Sequence, residues 1–234
     1  MAWFRRRAAR SDTPDPGSAG AAGADAITSA AQRFWLRWAQ LLPTVSSALG
    51  DREPGRVENE LCELVADLHP DLHFSLERGQ RAIYALVISG QEDPNLRPYT
   101  DAWKAAAPEE DPIWEYHDSV PPVPDPREVT VNLAGHRISL ADVLVVAQID
   151  DTEAVVDVAV YHPELAELDA PSRSALTFLP LDATLGERLA GERLRRVETA
   201  VRKPQNAISL IDLRDLVHHL AEAGSDADSD RAAD

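Results

Sequence analysis

The stretch DLHFSLERGQRAIYALVIS, residues 71–89, decides the fold class of this chain. Alternate positions at its start are apolar, with the period of a half-buried β-strand: Leu72, Phe74 and Leu76. Arg78-Gly79-Gln80 then predicts a hairpin connection into a second strand over residues 82–89. The stretch therefore predicts an antiparallel pair of strands.

Helical periodicity precedes this hairpin. From Asp25, apolar residues recur at spacings of three and four: Ile27, Ala31, Phe34, Trp35, Trp38, Leu41 and Leu42. Pro43 should kink or end this helix and leave one further turn before Gly50. A second amphipathic helix is expected over residues 54–68, because Pro54 suits a first turn and Pro70 stops the pattern.

A helix over residues 98–107 and a strand over 113–117 follow the hairpin and complete an ααββαβ unit, residues 25–119. The segment VPPVPDP, residues 120–126, holds four prolines and predicts an extended linker. Beyond it we expect the following elements: strands at 129–133, 143–149, 155–161 and 176–182, a short helix from about 182, a strand or helix at 194–201, and a helix at 210–223.

The predicted class is therefore α+β, with two small α/β-sandwich-like units whose sheets are mainly antiparallel. The second unit spans residues 127–223. Residues 1–24 form a basic arm rich in Gly, Ala and Pro, and residues 224–234 an acidic tail. Both segments are predicted to be disordered, because their composition buries too little apolar surface to offset the entropy of ordering.

Composition excludes several classes of protein. The 234 residues carry a formal net charge of −17, which argues against a nucleic-acid ligand. A single cysteine excludes a disulfide framework, and no apolar run reaches the length of a transmembrane segment. The arginine-rich N-terminus lacks the apolar stretch of a secretion signal, and membrane contact by this arm is not expected. These features predict a soluble cytoplasmic protein.

Motifs that would identify an enzyme or a cofactor site are not found in the sequence, which has no phosphate loop, HExxH or GxSxG pattern. We therefore predict no catalytic residues, no cofactor and no metal. Phe34 and Trp38 are four residues apart and cover one side of a helix, whereas Trp35 points elsewhere, at about 100° per residue. If Trp35 and Trp38 are not buried together, the exposed one is a candidate interface anchor.

Five segments together resemble an uncharacterised family of bacterial proteins known only as a domain of unknown function. They are FWLRW (34–38), LHPDLHFSLE (68–77), ALVISG (85–90), WKAAAPEEDPIW (103–114) and LPLDATLGE (179–187). The likeness runs from about residue 30 to about residue 220 and implies an intracellular bacterial α+β protein without an assigned activity. The most signature-like residues are Asp182, Gly186 and Glu187. A structural role is expected for them, with Asp182 capping a short helix and Gly186 allowing close backbone approach.

The preferred functional prediction is a non-enzymatic acidic binding or regulatory protein that engages a basic protein partner, in the manner of an inhibitor or an immunity protein. One alternative is a hydrolase, metal-assisted or not, that uses His69, Asp71, His73, Asp150 and Asp151. Another is a structural or assembly component, which a defined homo-oligomer would mark. The sequence leaves the oligomeric state open.

Overall fold

The structure is a computed structural model that describes the backbone of residues 6–7, 21–91 and 93–231, and the side chains of 23–91 and 93–223. The chain divides into two compact units, Met1–Val120 (unit 1) and Pro121–Asp234 (unit 2). Within the described residues there are five helices and three small, mostly antiparallel sheets, so the predicted α+β class is confirmed.

Unit 1 contains the expected hairpin and helices, but its second helix covers only 58–66 of the predicted 54–68, and Pro54–Val57 form a separate 3-10 turn. Its elements are β1 (Arg6–Arg7), α1 (Ala21–Gly50), α2 (Glu58–Ala66), β2 (His73–Arg78), β3 (Tyr84–Ser89), α3 (Arg97–Ala105) and β4 (Trp114–His117). The sheet order is β1-β2-β3-β4, with β4 parallel to β3 and the other pairs antiparallel. In the register of the hairpin, Phe74 lies opposite Ile88 and Leu76 opposite Leu86, so both strands direct apolar side chains into one core.

Pro43 does not end the first helix, because α1 continues without interruption to Gly50. A proline inside a helix costs about 3 kcal/mol. Val45 and Leu49, on the two turns beyond it, are 0% and 3% exposed. Burying two such side chains contributes about 3 to 6 kcal/mol, which offsets the cost of the proline.

An aromatic cluster forms the centre of unit 1. Trp35 stacks on Trp103 with ring centroids 4.8 Å apart, and Trp38 packs edge-on against Trp114 at 5.1 Å. The indole N–H of Trp35 donates to the carbonyl of Trp103 at 2.7 Å, and that of Trp38 donates to the Tyr116 hydroxyl at 3.2 Å. These polar bonds fix the orientation of rings that apolar packing alone would leave less defined.

The α-helices and strands described in unit 2 are β5 (Thr130–Leu133), β6 (His136–Ser139), β7 (Leu144–Asp150), β8 (Val155–Tyr161), α4 (Ala170–Arg193), β9 (Leu194–Thr199), β10 (Ile208–Ser209) and α5 (Leu210–Arg231). The main sheet has the order β10-β7-β8-β9, and β5-β6 form a separate pair. The ambiguous segment after α4 is thus a strand. The proline-rich segment packs within this unit, since the Val123 N–H donates to the Ala183 carbonyl at 2.8 Å.

The predicted strand over residues 176–182 is wrong, because this segment lies inside α4. Asp169 caps the helix by accepting a hydrogen bond from the Ser172 N–H at 2.8 Å. The buried residues recur every four positions, which is a helical period: Leu176, Thr177, Pro180, Leu181, Thr184 and Leu185. Thr177, Pro180 and Thr184 are not typical core residues. A search for apolar residues alone therefore does not reveal the helical period of this segment.

Most side chains of the predicted arm and of the predicted tail lie outside the described residues. Arg6–Arg7 pair with Phe74 and His73, and α1 begins at Ala21, within the predicted arm. The final helix was expected to end at Ala223 but continues to Arg231. The rest of the predicted arm and residues 232–234 lie outside the described residues.

Both units contain the same β-β-α-β connection. In unit 1 the hairpin β2-β3 is followed by α3 and by β4, which pairs parallel with β3. In unit 2 the hairpin β7-β8 is followed by α4 and by β9, which pairs parallel with β8. Strands β4 and β9 therefore occupy equivalent positions, each at an edge of its own sheet.

Two leucine substitutions test the core of unit 1. Leu64 is 1% exposed and Leu36 is 70% exposed. We expect Leu64→Ala to lower the free energy of unfolding by about 2 to 5 kcal/mol, because it leaves a cavity, and Leu36→Ala to change it by less than about 0.5 kcal/mol. Urea titration followed by tryptophan fluorescence measures both, since all five tryptophans lie between residues 3 and 114. Equal effects of the two changes would contradict this core.

Two glycines of α4 provide a matched test in unit 2. Gly186 is buried and adopts φ 76° and ψ 160°, a conformation that only glycine adopts readily, whereas Gly191 is helical and exposed. Gly186→Ala should destabilise unit 2 by about 1 to 3 kcal/mol, and Gly191→Ala should stabilise it by up to about 1 kcal/mol. The readout is the far-UV circular dichroism transition in urea. Tryptophan fluorescence, which reports on unit 1, should stay unchanged.

Candidate functional site

The turn between β2 and β3 is held by a buried carboxylate on β4. Glu115 is 1% exposed, and its Oε1 accepts a hydrogen bond from the Gln80 N–H at 2.7 Å. Its Oε2 accepts from the N–H groups of Arg81 at 2.9 Å and Ala82 at 3.1 Å. Three consecutive backbone donors therefore converge on one side chain, an arrangement that binds anions in other proteins.

Gly79 makes this convergence possible. Its N–H donates to the Ile83 carbonyl at 3.2 Å and closes the turn. A Cβ at Gly79 would lie 2.5 Å from the Ala82 carbonyl oxygen, closer than any side chain permits. Glycine is therefore required here for close backbone approach, and the compact turn aligns the next three N–H groups.

The environment keeps Glu115 ionised. Burial raises its pKa, but the N–H donors of Gln80, Arg81 and Ala82, together with the His117 ring at 3.1 Å, outweigh burial and set the pKa at about 2. A group with this pKa neither gives nor takes a proton near neutral pH. The carboxylate therefore positions the turn and is not suited to acid–base chemistry.

A second carboxylate, Glu110, lies between two cations at this turn. Its Oε2 is 2.6 Å from Arg81 Nη2, and its Oε1 is 2.8 Å from Lys104 Nζ. Burial raises the pKa of Glu110, but these cations bring it below its ordinary value. Lys104 also donates to the Tyr116 carbonyl at 2.5 Å, which ties the end of α3 to β4.

Two shallow cavities adjoin the turn. One of about 520 Å³ is lined by Arg78, Arg81, Ile83, Tyr84 and Pro112, among others. The other, of about 410 Å³, shares Arg81 and Pro112 with it and is bordered by Glu110 and Glu115. Ile83 is 56% exposed beside the first cavity. The surface thus combines guanidinium groups with exposed apolar side chains, a composition suited to contact with another molecule.

The two tryptophans singled out in the sequence are not on this surface. Trp35 is 8% exposed and Trp38 is 1% exposed, and both belong to the aromatic cluster of unit 1. The interface role required one of them to be exposed, so neither can anchor a partner in the structure described here.

The residues of the LPLDATLGE segment lie within α4. Asp182 is inside the helix and does not cap its start, which corrects the predicted role, since Asp169 is the N-cap. Gly186 marks a kink between two helical stretches, and its positive φ requires glycine. Glu187 begins the stretch after the kink.

The residues of the hydrolase alternative are divided between the two units. In unit 1, His69 Nδ1 accepts from the Asp71 N–H at 3.2 Å, and burial lowers the pKa of the His69 ring. In unit 2, Asp150 binds Arg195, which also bonds to Glu153 and Asp157. Within the described side chains, no group of three histidine, cysteine or acidic residues is arranged to hold a metal ion.

Comparison of the chain with protein-family models, curated proteins and solved structures gives no match. The likeness to an uncharacterised bacterial family therefore stays a prediction. Among the described residues, no helix has the length and apolar character needed to cross a bilayer.

Sequence reasoning missed Glu115. A glutamate between Trp114 and Tyr116, in a strand otherwise expected to be buried, was the available signal. The sequence does not show that the turn at residues 79–83 supplies its donors, because that contact joins positions more than 30 apart in the chain.

Glu115→Gln tests the role of the buried carboxylate. The folded pKa of about 2 lies below the ordinary 4.5, so ionised Glu115 contributes stability above pH 5 that is lost as the pH falls towards 2. The difference corresponds to about 3 kcal/mol. We expect the variant to lose about this much at pH 7 and to approach the wild type at low pH, measured by urea titration with tryptophan fluorescence.

Glu109→Gln is the matched control, because Glu109 is exposed near the same turn. It should follow the wild-type curve at every pH. Parallel curves for wild type and Glu115→Gln across this pH range would contradict the assigned role of the carboxylate.

Proposed function

We propose that this chain is a non-enzymatic binding or regulatory protein whose acidic surface engages a basic protein partner. The net charge of −17 supports the proposal, because a charge of this size speeds association with a cationic partner and disfavours acidic ones. The proposal requires a surface where carboxylates outnumber the cations that neutralise them.

The exposed side of α2 meets this requirement and is the observation that carries the proposal. Glu60 and Glu63 in α2 and Asp67 at its C-cap are spaced three and four residues apart, so they lie on one side; we call them the acidic α2 face. Glu63 and Asp67 are 72% and 71% exposed. Three carboxylates therefore project from one short element.

One arginine, Arg37, forms ion pairs with two of these three carboxylates. Arg37 Nη2 lies 3.3 Å from Glu63 Oε2, and Arg37 Nη1 lies 2.8 Å from Asp67 Oδ2. Exposed ion pairs of this kind contribute at most about 1 kcal/mol each. The cations of a partner can therefore compete for these carboxylates at little energetic cost.

A cavity of about 340 Å³ adjoins the acidic α2 face, between α1 and α2. Arg33, Arg37 and Asp67 line it, and beneath them lie Phe34, Leu64 and Leu68, which are at most 4% exposed. The cavity therefore offers a partner mainly charged groups, and the apolar side chains beneath them contribute little exposed surface.

Two triple variants with the same change in net charge test the proposal. Glu60→Gln/Glu63→Gln/Asp67→Asn neutralises the acidic α2 face, and Asp226→Asn/Asp228→Asn/Asp230→Asn neutralises the acidic tail. Full-length wild-type chain should capture a basic protein from a lysate of its source organism at low salt and release it at high salt. The α2 variant should bind this protein about tenfold more weakly, and the tail variant should bind it as wild type does.

Recovery of no basic protein at low salt would contradict the proposed function. Equal weakening by both triple variants would show that net charge, rather than the acidic α2 face, controls binding.

A further inference from the structure

The outer edge of β9 is open. β9 pairs with β8 on one side, and the Ala200 N–H continues this ladder by donating to the Val160 carbonyl at 2.8 Å. Because backbone groups alternate in direction along a strand, the N–H and C=O groups of Val197 and Thr199 face away from β8. Within the described part of the chain, these groups have no hydrogen-bond partner.

The equivalent edge in unit 1 is closed. The Trp114 N–H donates to Asp111 Oδ1 at 2.7 Å, and the Trp114 carbonyl accepts from the Asp111 N–H at 3.1 Å. The Tyr116 N–H donates to Glu110, and the Tyr116 carbonyl accepts from Lys104. All four outward backbone groups of these two residues are therefore satisfied by residues 104–111.

Chain connectivity explains the difference between the two edges. In unit 1, residues 106–113 separate α3 from β4 and supply most of the groups that cover the strand. In unit 2, α4 ends at Arg193 and β9 begins at Leu194, so no connecting residues are left to cover the edge. An uncovered edge strand is a template for a further strand.

The side chains of β9 match a second copy of the same strand. We propose that β9 pairs antiparallel with β9 of another molecule of this chain, about a twofold axis at Val197. In this register Arg196 lies opposite Glu198 of the second copy, and Glu198 lies opposite its Arg196. Both side chains are exposed, at 69% and 52%, and they already form an ion pair with each other along the strand. Opposite charges directly across an antiparallel pair stabilise it.

The hydrogen bonds and the charges together select the register. Outward groups must face outward groups, which registers centred on residue 196, 197 or 198 all satisfy. Only the register centred on Val197 places Arg196 opposite Glu198, because the other two place Arg196 opposite Arg196 or Glu198 opposite Glu198. The irregularity in the β8-β9 ladder lies at Val156/Asp157, so the regular part of β9 begins at Arg196. The two Arg–Glu contacts thus fall within this regular part.

A strand from a basic partner fits this edge less well than a second copy. Arginines lie on β9 and on both sides of it, at positions 193, 195, 196 and 202, and would repel a cationic strand. The self-pairing uses residues of unit 2 and the proposed function uses carboxylates of unit 1, so variants can test the two separately.

Charge reversal on the full-length chain tests the pairing, with sedimentation equilibrium as the measurement. The wild type should be a dimer. Arg196→Glu or Glu198→Arg places like charges at both cross-strand contacts and should raise the dissociation constant about tenfold or more. Mixing these two variants should restore a dimer, because each then faces the opposite charge. The double variant Arg196→Glu/Glu198→Arg should also dimerise.

Arg137→Glu is the control, because Arg137 is exposed on β6 and the change alters net charge by the same amount. It should leave the dimer unchanged. A monomeric wild type, or a dimer that neither single reversal weakens, would overturn the proposal. Capture of a different protein through β9 by a monomeric chain would overturn it as well.

Val197→Pro provides a second, independent variant. The N–H that it removes faces away from β8, so the ladder inside unit 2 keeps its hydrogen bonds, while the dimer loses both bonds of the Val197–Val197 pair. This variant should be monomeric with an unchanged far-UV circular dichroism spectrum. A folded Val197→Pro variant that still dimerises would overturn the proposal, whereas misfolding leaves the mixing experiment as the deciding result.

Discussion

The buried charge of Glu115 is the constraint on which the arrangement of unit 1 depends. A carboxylate at 1% exposure is tolerated only when donors replace water, and here the N–H groups of residues 80–82 do so. If the turn moved, the ionised carboxylate of Glu115 would be left buried without hydrogen-bond donors. Because Glu115 lies between Trp114 and Tyr116, the same bond holds β4 against the aromatic cluster.

The two β-β-α-β connections differ in whether the backbone groups on the outer edge of the last strand are hydrogen-bonded. The β-β-α-β arrangement places β4 and β9 at equivalent edges, yet only β4 has neighbouring residues that satisfy its outward groups. Backbone hydrogen bonding is directional and each group needs a partner, so an edge is either covered by its own chain, solvated, or paired with another strand. The length of the segment between helix and strand therefore decides whether the chain covers this edge itself.

In this acidic chain, single arginines form ion pairs with several neighbouring carboxylates at once. Arg195 bonds to Asp150, Glu153 and Asp157, which connects β9 to the β7-β8 turn, and Arg37 bridges two carboxylates near α2. Arginine suits this work because its planar guanidinium offers several donors at once. Carboxylates still exceed arginines and lysines by 17, and this surplus is what we propose a basic partner uses.

Sequence alone determined the helices and the hairpin of unit 1, the strands β7 and β8 and the α+β class, because periodicity and turn residues act over a few neighbouring positions. Prediction from sequence failed where the burial of a residue depends on residues that are distant along the chain. Thr177, Pro180 and Thr184 are core residues of α4 because the rest of unit 2 covers them, and α1 continues beyond Pro43 to residues, Val45 and Leu49, whose burial offsets the cost of the proline. The donors of Glu115 and the open edge of β9 were likewise decided by tertiary structure, since a hydrogen bond between remote segments leaves no local pattern.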